Sequence, residues 1–417
     1  MAVAELDLDA SGAPVAFRPA PGAPAPVPGA VYALVRVDGR PAATVLGRYE
    51  DGEDPAEVLA ALAAKRLPEH AAPRSDAERL AAAEPEPPRP APPASVVVAT
   101  RERPDSLARA LDSLLAQDHP DHELIVVDNA PRTTATHDLV TRKYPGRVRY
   151  VREDRPGLAA AHNAGVAAAG GEVLAFTDDD VIADPRWLSA LAAPFAADPG
   201  LGCVTGLILP ARLTTPAQVL LESHGGFAKG FAPRLYDPAR PPADEPLFPF
   251  TAGSFGSGAN MAFRASALRR AGGFDPATGT GTAARGGDDL YAFVAVLAAG
   301  HRLRYTPDAL VWHHHRETWR DLENQAYGYG AGLTAYLTAT LLRRPALLPA
   351  LLARLPRGLA HARTMTARRG ASGDGVPGAH GTHHHAWPAA LSRLERRGML
   401  YGPVGYLRAR LSPGASR

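Results

Sequence analysis

The chain has 417 residues, a formal net charge of +2 and a single cysteine, Cys203. A charge this close to neutral argues against nucleic acid as the main partner, and one cysteine excludes an internal disulfide framework. The sequence shows neither a secretory signal pattern at its N-terminus nor an apolar stretch long enough to span a bilayer. The length predicts more than one domain, and the composition predicts a cytoplasmic protein with at most peripheral contact with a membrane.

The first part of the chain predicts an arm, a small module and a linker. Residues 1–26 are rich in Ala and Pro and are expected to be a disordered arm. Residues 27–83 are expected to form a small α+β module, with a β-hairpin around Asp38 and a helix from Pro55. The Pro-rich tract 84–93 is expected to be a stiff linker. No residue of these segments is an evident catalytic group.

Strands and helices alternate after the linker. Strands are predicted over 95–99, 123–127, 148–151 and 173–176, and helices over 106–117 and 158–169. Such alternation is typical of a mostly parallel sheet with helices on both faces, whose functional side chains lie at the carboxyl ends of the strands. Thr100 and Arg101 follow the first strand, Asp128 ends the second, and three aspartates follow the fourth.

Two acidic clusters indicate phosphate chemistry. The aspartates 178–180 follow a buried strand, where carboxylates need a cation, a proton or open water. A divalent metal meets that need, and a metal held by aspartates usually serves a phosphate. The pair Asp288-Asp289 follows two glycines at the start of a predicted helix, where acidic residues are also common for electrostatic reasons. The glycine-rich loop before it could close over a ligand, and the pair could then supply a base.

Histidine runs and a glycine-rich strand complete the candidate residues. The run 313–315 follows a predicted strand, where one ring can face a site and join carboxylates around a metal. The second run, 383–385, lies in low-complexity sequence and is interpreted as a weak adventitious metal binder. The stretch 256–264 combines glycines, an amide and an apolar strand.

The end of the chain, 321–417, is expected to be a helical and irregular extension. Residues 331–342 are amphipathic at helical spacing, and 370–386 are rich in Gly and His. The basic segment 343–369 is expected to pack on the catalytic domain, with an anionic membrane surface as the alternative.

In this order the motifs resemble those of the family 2 glycosyltransferases, which have a GT-A fold and use nucleotide-activated sugars. The resemblance covers about residues 94–320. Its stretches are 95–104, 124–129, 157–165, 176–180, 258–264, 272–275, 287–289 and 307–313. It implies an α/β, Rossmann-like, mostly parallel sheet of the GT-A type, flanked here by the N-terminal α+β module and the helical C-terminal extension.

The resemblance also implies roles for individual residues. The nucleotide would lie against Thr100, Arg101, Arg103, Asp128, Asn163 and Asp178. A divalent metal, Mg²⁺ or Mn²⁺, would be held against the diphosphate by Asp178, Asp180 and His313. The sugar or the acceptor would contact Asp179, Gly258 and Asn260. Asp289 would be the general base, with Asp288 beside it.

Three departures from the family pattern refine this expectation. His162 stands where an arginine is common, and Asp288 replaces the usual glutamate. The Gln-X-X-Arg-Trp motif of polymerising members is absent, which favours the addition of one sugar or a few.

The sequence therefore predicts an inverting, metal-dependent, non-processive glycosyltransferase. It would move a sugar from a nucleoside-diphosphate sugar to a hydroxyl of a sugar, a lipid-linked glycan or a small metabolite. A sugar-phosphate nucleotidyltransferase is one alternative, but the segment 100–104 has arginines without the glycines of a phosphate loop. A non-catalytic nucleotide-sugar or carbohydrate-binding protein is the other, and the intact acidic clusters argue against it.

Overall fold

The N-terminal residues form a four-stranded sheet covered by one helix. The computed structural model describes residues 1–70, 78, 91–224, 226–356 and 387–412. The strands are β1 (Ala2–Leu8), β2 (Pro14–Pro19), β3 (Gly29–Val37) and β4 (Arg40–Tyr49), and the helix is α1 (Pro55–His70). The order in the sheet is β2-β1-β3-β4, with the core between the sheet and α1. The predicted hairpin and helix of the small module are confirmed.

The prediction of a disordered arm over 1–26 is wrong. β1 pairs in parallel with β3, and β2 pairs with β1 as an edge strand. Val3, Leu6 and Leu8 are buried, and burying them offsets the entropy lost on ordering the strand. The Ala and Pro content of this segment is typical of disorder and obscured both strands in the sequence. The prolines of β2 do not prevent strand pairing, because they lie at its two ends on a sheet edge, where proline is tolerated.

The larger sheet begins after residue 93. Its strands are β5 (Ala94–Thr100), β6 (His122–Asn129), β7 (Val148–Glu153), β8 (Val173–Asp178), β9 (Val181–Ala183), β10 (Leu201–Pro210), β11 (Arg234–Tyr236), β12 (Asn260–Arg264) and β13 (Arg302–His313). The order is β11-β13-β10-β12-β8-β5-β6-β7, with β9 beside β13. β5 to β8 run parallel, β10 runs parallel to β13, and β12 lies antiparallel between β8 and β10. The predicted α/β class with a mostly parallel sheet is confirmed.

Helices cover both faces of this sheet. They are α2 (Pro104–Leu114), α3 (Ala135–Lys143), α4 (Leu158–Ala168), α5 (Trp187–Ala197), α6 (Pro216–Ser223), α7 (Ala265–Ala271) and α8 (Asp288–Ala298). Apolar side chains of α2 and α5 form the core on one face, and those of α4 and α8 form the core on the other. In α2 the buried residues 107, 110, 111 and 114 follow the helical period, so one stripe of the helix faces the sheet.

Two long helices and a shorter helical stretch over 345–356 form the described part of the C-terminal extension. α9 (Trp319–Arg343) packs closely against α10 (Ala389–Leu411). The start of the basic segment 343–369 contacts the domain of the larger sheet, because Arg343 Nε donates to Asp275 Oδ2 at 2.9 Å. The rest of that segment beyond 356, the linker up to residue 90 and the run 383–385 lie outside the described residues. In the described parts of the chain, no helix combines the length and apolarity needed to cross a membrane.

The N-terminal module packs against β10 and β13 of the larger sheet. Apolar residues from both sides form one cluster, which includes Tyr32, Leu34, Leu209, Leu310 and Trp312. The guanidinium Nη2 of buried Arg36 lies 2.7 Å from Glu5 Oε1 and 2.6 Å from Asp184 Oδ2, and so bridges the module to the segment after β9. Apolar contact and a buried charge network therefore hold the two parts together.

Candidate active site

A cavity of about 1200 Å³ is lined by residues at the ends of several strands and helices. Asp178 at the end of β8 and His313 at the end of β13 line it. Gly258 just before β12 and Asp289 at the start of α8 also line it, with side chains of α9 and α10. The sheet order thus brings both acidic clusters of the sequence to one cavity.

Asp178, Asp180 and His313 form a candidate metal site. One ligand atom from each lies within 4.8 Å of the other two. His313 Nε2 is 3.3 Å from Asp180 Oδ1, yet this buried oxygen has no hydrogen-bond partner with suitable geometry among the described groups. His313 Nε2 and Asp180 Oδ1 are therefore both available to coordinate one shared ion. Carboxylates with one imidazole suit Mg²⁺ or Mn²⁺, so the residues present fit a divalent metal.

The electrostatics of this cluster also fit a cation. Burial, together with the negative charge of Asp180, raises the pKa of Asp178 to about 7. Burial opposes the charge on Asp180 as well, but His313, Arg316 and Arg103 hold its pKa far below the usual range. Burial therefore makes a second negative charge beside Asp180 costly, and a bound cation would lower that cost.

Asp179 lies between the metal cluster and the end of β5. Thr100 donates its hydroxyl to Asp179 Oδ2 at 2.7 Å, and Arg103 Nη1 donates to Asp179 Oδ1 at 3.1 Å. Arg103 lines the cavity, whereas Thr100 and Asp179 do not. The Asp179 carboxylate thus holds Arg103 at the cavity wall and is not itself among the lining residues, so its contact with a sugar stays a prediction.

Besides Thr100, three more of the residues assigned to the nucleotide are not among those that line the cavity. Asp128 is fully buried and accepts a hydrogen bond from the Tyr150 hydroxyl at 2.9 Å; burial raises its pKa. Asn163 exchanges hydrogen bonds of 2.8 and 3.0 Å with the backbone of Phe274 and so fixes that loop. Arg101 is exposed at the end of β5.

The expectation that Asn260 contacts the sugar or the acceptor is corrected. Its side chain is fully buried and accepts a hydrogen bond from Trp187 Nε1 at 2.9 Å. Its amide nitrogen donates to the backbone oxygens of Leu207 at 2.9 Å and Ala309 at 2.8 Å. Because these bonds tie β12 to its neighbours, the amide is a structural group. Gly258, by contrast, lines the cavity.

Asp289 is held by backbone groups at the start of α8. Gly258 N donates to Asp289 Oδ2 and Leu290 N donates to Asp289 Oδ1, both at 2.8 Å. Burial, followed by the charge of Asp288, raises the pKa of Asp289 to about 6. The carboxylate is therefore fixed in orientation and more basic than an ordinary aspartate.

His162 and Asp288 form a buried pair behind Asp289. His162 Nδ1 lies 3.3 Å from Asp288 Oδ2, and the ring packs against Phe176 and Phe274 at centroid distances of 5.1 and 4.8 Å. His162 does not line the cavity. The histidine that replaces the expected arginine thus faces Asp288, although neither His162 Nδ1 nor Asp288 Oδ2 has a hydrogen-bond partner of suitable geometry among the described groups.

Sequence reasoning missed three basic residues of the cavity wall, Lys229, Arg285 and Arg316. Arg316 Nη1 lies 3.6 Å from Asp180 Oδ2, and its place directly after the histidine run could have drawn attention to it. Lys229 lies in the loop before β11, and burial lowers its pKa although Asp289 opposes that shift. No motif surrounds Lys229, so its position could be found only from the folded loop.

Comparisons with known proteins agree with these features. Residues 95–271 match the model of the family described as Glycosyl transferase family 2. An uncharacterized glycosyltransferase of Nostoc sp. is 33% identical over 111 residues, which are 26% of this chain and 34% of that protein. The pre-mycofactocin glycosyltransferase of Mycobacterium tuberculosis is 28% identical over 237 residues, which are 57% of this chain and 46% of that protein. The chain thus spans less than half the length of these two curated relatives.

A solved structure also resembles the chain. The mannosyltransferase of Pyrobaculum calidifontis, in complex with GDP-Man and Mn²⁺, has 21% sequence identity and a TM-score of 0.45. The likeness covers 80% of this chain and 91% of that one. The family match shows that the segment 95–271 of the chain belongs to glycosyltransferase family 2.

Proposed function

We propose that the chain transfers a sugar from a nucleoside-diphosphate sugar to an acceptor hydroxyl, with inversion at the anomeric carbon. One observation carries the proposal: Asp178 and His313 of the candidate metal site line the same cavity as Asp289, whose carboxylate is held by backbone N–H groups. The metal site suits the departing diphosphate and the Asp289 carboxylate suits the incoming hydroxyl. The absence of the polymerising motif favours the transfer of one sugar or a few.

The diphosphate side of the cavity combines acidic ligands with fixed positive charge. A Mg²⁺ or Mn²⁺ ion held by Asp178, Asp180 and His313 would supply a Lewis acid that neutralises charge on the leaving group. Arg103 and Arg316 lie 3.3 and 3.6 Å from Asp180 and line the cavity. Their guanidinium groups are suited to the remaining phosphate oxygens, because planar donors bind phosphate in bidentate fashion.

Asp289 supplies the base in this proposal. With a pKa of about 6 it is largely ionised at neutral pH, and the two backbone N–H bonds leave further lone pairs on both oxygens. It takes the proton of the acceptor hydroxyl while that oxygen bonds to the anomeric carbon. The bond from that carbon to the diphosphate breaks in the same displacement, and the nucleoside diphosphate leaves with the electron pair.

A donor screen tests the proposal. Release of nucleoside diphosphate is followed across common nucleotide sugars, with Mg²⁺ or Mn²⁺ and with or without acceptor sugars. The expected result is release that requires both the metal and an acceptor and that stops with EDTA. Pyrophosphate release from a nucleoside triphosphate and a sugar phosphate would instead establish a nucleotidyltransferase. Donor binding without turnover on any acceptor would contradict catalysis.

Peripheral contact with a membrane is a second part of the proposal. Large apolar side chains of the C-terminal segments are 40–84% exposed: Leu342, Leu348, Leu352, Leu355, Leu400, Val404, Leu407 and Leu411. The same segments carry arginines, which attract anionic lipids. Cosedimentation with vesicles that contain anionic phospholipid is expected, and retention of all protein in the supernatant would contradict it.

A further inference from the structure

A buried chain of side chains joins His313 to the N-terminal module. His313 Nδ1 lies 3.0 Å from His315 Nδ1, and His315 Nε2 lies 3.2 Å from Glu222 Oε2. Tyr32 of β3 donates its hydroxyl to Glu222 Oε1 at 2.9 Å. None of these four side chains belongs to a residue more than 7% exposed. We refer to these four side chains as the relay: Tyr32, Glu222, His315 and His313.

Neighbouring groups restrict the rings of the relay. The Phe227 ring packs against His313 and His315 at centroid distances of 5.2 and 5.5 Å. Gln218 Nε2 donates to the backbone oxygen of His315 at 3.1 Å. Since neither imidazole can turn freely, the hydrogen bonds of the relay decide which ring nitrogen carries a proton.

The relay selects one tautomer of His313. The Glu222 carboxylate can only accept, so His315 carries its proton on Nε2 and its Nδ1 becomes an acceptor. His313 must then donate from Nδ1, and its Nε2 keeps a free lone pair. That nitrogen is the one 3.3 Å from Asp180 Oδ1 in the candidate metal site.

We propose that Tyr32 and Glu222 are positioning residues that hold His313 in its metal-binding tautomer. Tyr32 lies outside residues 95–271, so the N-terminal module completes a site of the catalytic domain through Glu222. Such second partners of metal-binding histidines orient the ring and raise its basicity. The inference rests on the metal-dependent function proposed above.

Calorimetric titration of the full chain with Mn²⁺ alone tests the inference. Glu222→Met removes the acceptor and is expected to weaken Mn²⁺ binding about 10- to 100-fold. Glu222→Gln keeps an acceptor oxygen toward His315 and is expected to restore most of the affinity. Tyr32→Phe is expected to weaken binding about fivefold, the effect of one lost hydrogen bond. Tyr49→Phe, in the same module but outside the relay, is the matched control and should bind as the wild type does.

A second measurement does not depend on the variants folding. Nitrogen-15 NMR of labelled histidine in the metal-free wild type, recorded at a pH high enough for the His313 ring to be neutral, should show its one proton on Nδ1 and none on Nε2. A neutral ring with its proton on Nε2, or wild-type Mn²⁺ affinity in folded Glu222→Met, would overturn the inference. If the wild type binds Mn²⁺ and the variant binds equally, the proposed function survives without it. If the wild type binds no Mn²⁺, the metal part of the proposed function fails as well.

Discussion

Asp178 and Asp289 line one cavity, yet the structure gives them different surroundings. Asp178 faces a second carboxylate and an imidazole, whereas backbone N–H groups hold both oxygens of Asp289. The first arrangement suits a cation and the second suits a proton. Sequence motifs predicted that both residues matter, because each follows a strand or begins a helix. The orientation of Asp289 depends on Gly258, which is distant in sequence and could not be inferred.

The raised pKa of Asp289 gives a pH dependence of catalysis. An aspartate with a pKa of about 6 takes up a proton where an ordinary one would stay ionised. With metal and acceptor saturating, the rate is expected to fall about tenfold for each pH unit below about 6, because the base must be ionised to accept a proton. A pH–rate profile measures this, with circular dichroism at each pH as the folding control. A rate unchanged down to pH 4.5 would show that no group with this pKa is the base.

Asn260 and Asn163 show what a sequence motif cannot predict about a single residue: whether its side chain binds a ligand or the protein backbone. Both lie in stretches that carry the family resemblance, and an amide there is equally able to bind a ligand or the backbone. In the structure, Asn260 forms hydrogen bonds with Trp187 and two backbone oxygens, and Asn163 forms hydrogen bonds with the backbone of Phe274. Only the contacts across the sheet, which sequence does not contain, distinguish the two uses.

At the scale of elements, the local pattern predicted the parallel strands β5, β6 and β8 well. Their β-branched and apolar runs are buried on both faces, and this composition marks such strands. β1 and β2 were missed because small residues and prolines dilute their pattern. The place of β12, antiparallel between β8 and β10, follows from long-range pairing that periodicity cannot show.

Glycines determine how closely α9 and α10 approach. A Cβ on Gly398 would lie 2.1 Å from the backbone oxygen of Tyr327, so even alanine would force the helices apart. Gly398→Ala is expected to lower the free energy of unfolding by about 1–3 kcal/mol, the usual cost of overpacking. Urea unfolding measures the change.

The control for this prediction is Leu400→Ala on the same helix, where the side chain is 81% exposed. Its free energy of unfolding should stay within about 0.5 kcal/mol of the wild type, as is usual for exposed sites. Equal stability of Gly398→Ala and the wild type would contradict the close packing of α9 and α10.

At the scale of the whole molecule, the N-terminal module is part of the same folded unit as the domain of the larger sheet. It covers apolar residues of β10 and β13 and reaches the candidate metal site through Tyr32. The family resemblance, which covers about residues 94–320, could not predict this role. Residues 1–70 contain no motif, and their contacts link positions far apart in the chain.

Substitution of Arg36 tests whether its buried ion network holds the N-terminal module to the domain of the larger sheet. Arg36→Met would leave Asp184 buried without its ion-pair partner and Glu5 with only the more exposed Arg18, and is expected to cost about 3–5 kcal/mol of unfolding free energy. Arg40→Met is the matched control, because Arg40 is 75% exposed and lies 3.7 Å from Asp308; its effect should be below about 1 kcal/mol. Denaturant unfolding compares the two. Similar small losses in both variants would show that the module does not depend on this network.

The separation of two roles in one cavity is tested most directly by assaying Asp180→Asn and Asp289→Asn side by side. For each, Mn²⁺-dependent binding of the donor nucleotide sugar and the turnover number are measured, with exposed Asp154→Asn as control. Asp180→Asn should lose Mn²⁺-dependent donor binding. Asp289→Asn should keep that binding and lose turnover about 10²- to 10⁴-fold, the usual contribution of a general base. Near-normal turnover in folded Asp289→Asn, or equal loss of donor binding in both variants, would contradict the separate roles.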